Sequence, residues 1–148
     1  LVQMLRNLSA FLSITLLLLG CSEPADNTLD QAPVHKLKPQ ITVVNYWAEW
    51  CKPCLKEIPE FNAFAKENPG VAVIGINFDG LEGEDLTLAM AKFDMQFTAW
   101  PIQAMDDMGI QRPNVLPTTL VFNQQSELVE TLVGPQSAES LKALIDAL

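Results

Sequence analysis

Basic residues, histidine and cysteine are all scarce in this sequence, and each scarcity closes off a class of function. Nine Lys and Arg stand against eighteen Asp and Glu, a formal net charge of −9 over 148 residues. No cluster of Lys or Arg offers a local basic footprint, and an acidic surface repels phosphate backbones, so no nucleic-acid partner is expected. His35 is the only histidine. It lies in a polar, proline-containing stretch and reads as a solvated linker residue. Of the three cysteines, Cys21 follows a hydrophobic run, while Cys51 and Cys54 form a CxxC. A zinc site built on that pair needs two more ligands, and residues 39–148 hold no further Cys and no His. No metal and no other cofactor is therefore expected. No apolar run reaches the roughly 20 residues of a comfortable bilayer span, and no internal repeat is visible. The length suits one domain with a real core rather than two.

The first twenty residues read as an address. A single cation, Arg6, precedes an apolar stretch that is richest over residues 11–19. That length and those flanks fit a signal-peptide hydrophobic region. The first residue is Leu1, which suggests a start either at a non-standard codon or at Met4. The run ends Leu18-Leu19-Gly20-Cys21, which resembles the lipobox of bacterial lipoproteins. The resemblance implies that residues 1–20 are removed and that Cys21 is lipidated as the first mature residue. Its acyl chains would each contribute about 0.8 kcal/mol per buried CH₂ to membrane anchoring. A plain secretory signal with Cys21 free, or an uncleaved anchor, is the alternative. Ser22 rather than Asp follows the cysteine, which by the enterobacterial sorting rule points to an outer membrane. Residues 21–38, with Pro24 and Pro33, then read as a lipidated tether spanning roughly 20–25 Å.

From residue 39 the pattern alternates between strand and helix. Residues 41–48 are rich in β-branched and aromatic side chains and read as a buried strand. Residues 51–68 have helical spacing, with Cys54, Ile58, Phe61 and Ala65 on one face, and Pro69-Gly70 stops them. Pro59 inside this stretch should remove one hydrogen bond and kink the helix. Residues 71–78 form a second, nearly continuous apolar strand, as in a sheet covered on both faces. A helix follows over 83–93, a short one over 104–109, a strand pair over 118–123 and 128–133, and a last helix over 137–148 capped by Ser137. The stretch 95–114 is otherwise ambiguous. The order predicts an α/β fold, a mixed central β-sheet flanked by helices.

The CxxC opens the first helix of that series. Cys51 would sit at the helix N-terminus, where unpaired backbone N–H groups and the helix dipole stabilise a thiolate. Lys52 adds a cation, and Pro53 in the first turn loses no needed N–H while stiffening the ring. Cys54, one turn in, faces the core. The asymmetry makes Cys51 the nucleophile toward a disulfide and Cys54 the resolving thiol. The competing reading is an inert structural disulfide, although closing so short a loop restricts the unfolded chain little.

The segment Asn45-Tyr46-Trp47-Ala48-Glu49-Trp50-Cys51-Lys52-Pro53-Cys54, continued by Leu55-Lys56-Glu57-Ile58-Pro59, resembles the active-site region of the thioredoxin superfamily, most closely its TlpA/ResA-like envelope branch. A second match is Leu116-Pro117-Thr118-Thr119. The resemblance covers residues 39–148 and implies a thioredoxin fold. It implies that Pro117 is cis and lies against the dithiol, and that the Leu116 backbone binds the substrate chain. Thioredoxins of the cytoplasm carry an aspartate where this chain has Asn45. The envelope branch instead has a glutamate three residues after the second cysteine, matched by Glu57. Spacing puts Glu57 one turn from Cys54, and a half-buried carboxylate there would have a raised pKa and move protons for the thiols; otherwise it is a solvated helix glutamate like Glu60. Trp50 shields the dithiol and forms substrate surface. Trp47 is core, and Trp100 has no family role.

The resemblance thus implies a membrane-anchored oxidoreductase of the bacterial cell envelope that reduces disulfides of envelope proteins. It would face the periplasm or the outer side of the cytoplasmic membrane, and an upstream membrane thiol carrier would supply its electrons. An oxidant or isomerase on the same fold is the alternative, but such proteins more often place a histidine where Lys52-Pro53 stands. A metal-binding lipoprotein is a third class, disfavoured by the lack of a domain histidine.

Overall fold

The computed structural model describes residues 40–148; the signal and tether readings, with Cys21 and His35, fall outside them. Among the described residues no helix is long and apolar enough to cross a membrane. The chain runs β1 (Thr42–Trp47), α1 (Lys52–Glu67), β2 (Ala72–Asn77), α2 (Gly83–Lys92), β3 (Thr98–Trp100), α3 (Gln103–Asp107), β4 (Thr118–Phe122), β5 (Leu128–Val133) and α4 (Ala138–Ile145). The five strands form one sheet in the order β3-β2-β1-β4-β5. β1, β2 and β3 pair in parallel, and β4 and β5 are antiparallel additions. This is the mixed sheet that the alternating pattern predicts. The ambiguous stretch resolves into β3, a three-residue edge strand too short to show any periodicity. Trp100 ends β3 and is core.

The central position of β1 follows from its sequence, since all six residues are buried. Its alternate side chains feed two cores. Val43 and Trp47 join Val121 of β4 under α1, α2 and α4, while Val44 and Tyr46 pack with Leu120, Phe122 and Met105 of α3 on the opposite face. Period-2 alternation therefore also assigns Asn45 to the α1 face. In α1 the buried stripe is Cys54, Glu57, Ile58, Phe61 and Phe64. Phe64 widens the stripe on one side, while Ala65, on the same face as Ile58 and Phe61, is partly buried and packs against the same core. The helix continues through Pro59. Ser137 caps α4 in a reciprocal pair with Ser140, satisfying donors that the first turn would otherwise leave open.

Gly75 in β2 is a packing requirement. A Cβ there would meet Phe97 Cε2 at 3.2 Å and Met95 Sδ and Trp47 Nε1 at 3.3 Å. Two of those atoms belong to the buried rings of Phe97 and Trp47, which would have to shift by a few tenths of an ångström. Gly75→Val is expected to lower the free energy of unfolding by about 1–3 kcal/mol, read from a denaturant titration.

Candidate active site

The C-terminal end of β1 delivers the chain into the site. After Trp47 the backbone turns, Cys51 N–H donates to the Ala48 carbonyl at 3.1 Å, and Cys51 becomes the N-cap of α1. Its Sγ accepts from Cys54 N–H at 3.3 Å. The sulfur therefore occupies the place of a capping oxygen, in the positive field of the helix start. Cys51 and Cys54 are joined as a disulfide with Cα atoms 5.3 Å apart. Cys54 is fully buried, and Cys51 is only 4% exposed. The asymmetry expected from sequence is thus one of position on the helix more than of exposure. Lys52 and Pro53, both exposed, form the outer edge of the ring.

Trp50 projects beside the disulfide and is 63% exposed. It is held by its Nε1–H, which donates to Asp79 Oδ2 at 2.9 Å, and by edge-on packing against Phe78. Asp79 itself is fixed by a turn in which Asn77 Oδ1 accepts from the Asp79 and Leu81 N–H groups. Nothing in the local sequence links Asp79 to Trp50; the two meet because β1 and β2 end side by side, with Trp47 opposite Asn77.

The Leu116–Pro117 peptide is cis. Pro117 is buried and immediately precedes β4, whose Thr118 pairs with Tyr46 of β1. This register sets residues 116–117 at the same end of the sheet as Cys51. Leu116 packs against the core that contains both cysteines. The Pro117 carbonyl accepts from Gly134 N–H at 2.9 Å, tying the segment to the turn that leads into α4.

Glu57 departs most from a surface residue. It is 2% exposed, deeper than half-buried. Oε1 accepts from Asn45 Nδ2 at 2.8 Å and Oε2 from the Gln136 backbone N–H at 2.9 Å. Burial pushes its pKa from 4.5 up to about 7, against the pull of those two donors. One turn on, Glu60 is exposed and accepts from Ala138 N–H. A groove of about 500 Å³, large enough for several waters, has Glu57 in its wall with Lys52, Pro53, Lys56 and Gln136 around it. The carboxyl group is therefore withdrawn from the surface but has a route to solvent.

Cys51, Cys54, Trp50, Lys52, Pro53, Glu57, Leu116 and Pro117 are thus gathered at one end of the sheet. Gln136 and Asp79 were not foreseen. Gln136 acts through a backbone N–H, which no residue type signals, and it lies 79 positions from its partner. Asn45 carries more than the missing aspartate that its position suggests, since it also donates to Thr119 Oγ1 at 3.2 Å. Among the described residues no group of three or more His, Cys, Asp or Glu is arranged to hold a metal ion.

A family model described as the AhpC/TSA family matches residues 22–131. The chain is 29% identical over 110 residues to sporulation thiol-disulfide oxidoreductase A of Bacillus subtilis, covering 71% of this chain and 66% of that protein. It is 26% identical over 113 residues to thiol-disulfide oxidoreductase ResA of Bacillus cereus, covering 74% and 64%. The match therefore spans just under two thirds of either relative. Among solved structures, StoA from Bacillus subtilis superposes with a TM-score of 0.61 at 25% identity, over 75% of this chain and 86% of that one.

Proposed function

The chain belongs to the AhpC/TSA family and has a thioredoxin fold, and from that premise we propose that it is a membrane-tethered thiol–disulfide oxidoreductase reducing disulfides of cell-envelope proteins. The observation that carries this reading is the Cys51–Cys54 disulfide at the N-terminus of α1, with buried Glu57 one turn along. In the reduced enzyme the Cys51 thiolate, favoured by the helix start, attacks one sulfur of a substrate disulfide. The substrate S–S bond breaks, a mixed disulfide forms, and the departing thiolate takes a proton from solvent. Cys54 then gives its proton to the Glu57 carboxylate and attacks Cys51 Sγ. The enzyme disulfide closes and the second substrate thiolate leaves. Two electrons have passed from the dithiol to the substrate, so an upstream dithiol must reduce the enzyme again; a membrane thiol carrier fits that need.

The remaining residues support this cycle. The Leu116 backbone, beside cis-Pro117, binds the extended substrate chain, and Trp50 supplies an apolar surface next to the attacked sulfur. Lys52 favours the thiolate, and Pro53 keeps the ring rigid. The anchor in this reading is lipidated Cys21, with residues 21–38 as tether, which keeps the domain 39–148 at the outer side of the cytoplasmic membrane or in the periplasm, with the outer membrane as a second address. The relatives named as thiol-disulfide oxidoreductases support the activity. Glu57 and the absence of a histidine from the Cys51–Cys54 dipeptide support the reducing direction. The test is a redox titration of Cys51–Cys54 in glutathione or dithiothreitol buffers. A potential near about −270 mV is expected; a value near about −120 mV would assign the protein to disulfide formation instead.

A further inference from the structure

Asn45 sits between two partners that differ in what they accept. It is 1% exposed, and its Nδ2 donates both to Glu57 Oε1 and to Thr119 Oγ1, while Oδ1 has no hydrogen-bond partner among the described residues. This arrangement suits an ionised Glu57, which only accepts. It does not suit the protonated form. The Gln136 N–H is a backbone donor and cannot become an acceptor, so Oε2 keeps accepting, and the conflict arises when the proton takes the Oε1 lone pair that faces the Asn45 NH₂ group. Two donors would then confront each other inside the core. A carboxamide has an escape from this conflict. Its oxygen and nitrogen ends have nearly the same shape, and a half-turn exchanges them. After that turn Oδ1 accepts from the Glu57 carboxyl and from the Thr119 hydroxyl, which donates or accepts by rotating.

We propose that Asn45 is a positioning residue whose carboxamide turns over as Glu57 gains and loses its proton, keeping the Glu57–Asn45–Thr119 chain bonded in both states. This role rests on the reading of Glu57 as the proton acceptor for Cys54. It supplies a reason for asparagine at this place: aspartate would set a second carboxylate against Glu57, and leucine would leave it short of a donor. Because Thr119 is two residues past cis-Pro117, the same turn reaches the base of the substrate-binding segment. The neighbouring charged groups are exposed Lys52, Lys56 and Glu60 on α1, all lining the groove. β1, β4 and residues 134–137 contribute no charged side chain, and the Cys54 thiol is the other titrating group once the disulfide is reduced.

The test uses the full chain in its disulfide form, with labelled Asn and Glu side chains followed by NMR from about pH 5 to about pH 9. The Asn45 Nδ2 and Cγ signals are expected to titrate with the same midpoint as the Glu57 carboxyl carbon, near 7, and to stop titrating in Glu57→Gln. In Asn45→Leu the Glu57 midpoint should rise by about one unit, carrying the acidic limb of the exchange-rate profile with it. Asn45 signals that stay flat while the Glu57 carbon titrates would overturn the proposal, as would an unmoved Glu57 midpoint in a folded Asn45→Leu. Because the titration is read in the resting disulfide form, it is independent of whether the wild-type chain exchanges disulfides, which tests the functional reading separately.

Discussion

Cys51→Ser is expected to bring disulfide reduction down to the uncatalysed background, a loss on the order of 10³-fold or more. Cys54→Ser is expected instead to accumulate mixed disulfides. A serine hydroxyl does not ionise in the physiological range, so the field of the α1 N-terminus has no thiolate to stabilise. Cys51 is also the first of the two sulfurs to meet a partner, being the N-cap rather than a residue one turn into the core. With Cys54 replaced, the first exchange still proceeds and the second has no thiol to complete it. The measurement is the stopped-flow rate of reduction of a peptide disulfide, together with non-reducing gels of cells expressing Cys54→Ser. The captured partners should be envelope proteins with cysteine pairs. Full activity in Cys51→Ser, or trapping by Cys51→Ser in preference to Cys54→Ser, would sink the assignment of roles.

Glu57→Gln is expected to make the protein more stable than wild type above pH 7 and to remove a pH dependence that the wild type shows below it. The carboxyl group has a pKa of about 7 in the folded chain against an ordinary 4.5, raised by burial. Below about pH 4.5 it is protonated in both the folded and the unfolded chain and contributes no dependence. Between about 4.5 and 7 the folded chain holds a proton that the unfolded chain has released, so stability falls as pH rises. Above about 7 both forms are ionised and the loss levels off, at about 3 kcal/mol in total. The substituted carboxamide cannot ionise. Its oxygen still accepts from Gln136 N–H, and its NH₂ group can donate to Asn45 Oδ1, so the fold is kept. Urea titrations at about pH 5 and about pH 8 should show the wild type losing stability between them and Glu57→Gln holding level. Equal slopes in the two proteins would refute the raised pKa. A carboxylate kept in the core at such a cost points to chemistry rather than to structure.

Much of this was legible in the chain because it rests on local pattern. The apolar run of β1, the 3.6-residue stripe of α1 and the Ser137 cap of α4 are all written within a few residues of where they act. The CxxC at a strand-to-helix junction marks the candidate site, and the i+3 spacing from Cys54 puts Glu57 one turn away on neighbouring helix surface, with a half-buried and a solvated carboxylate both open. What the chain could not show by itself is who meets Glu57 there. The β1–β4 register brings Asn45 opposite Thr119, and the turn into α4 brings a bare N–H of Gln136 to the other carboxylate oxygen. Likewise β3 exists because β2 offers it an edge, not because three residues carry a pattern. Residue type and spacing specify helices, strands and the redox pair. Depth of burial, and with it the proton affinity of Glu57, is set only when distant backbone segments close over the same few ångströms.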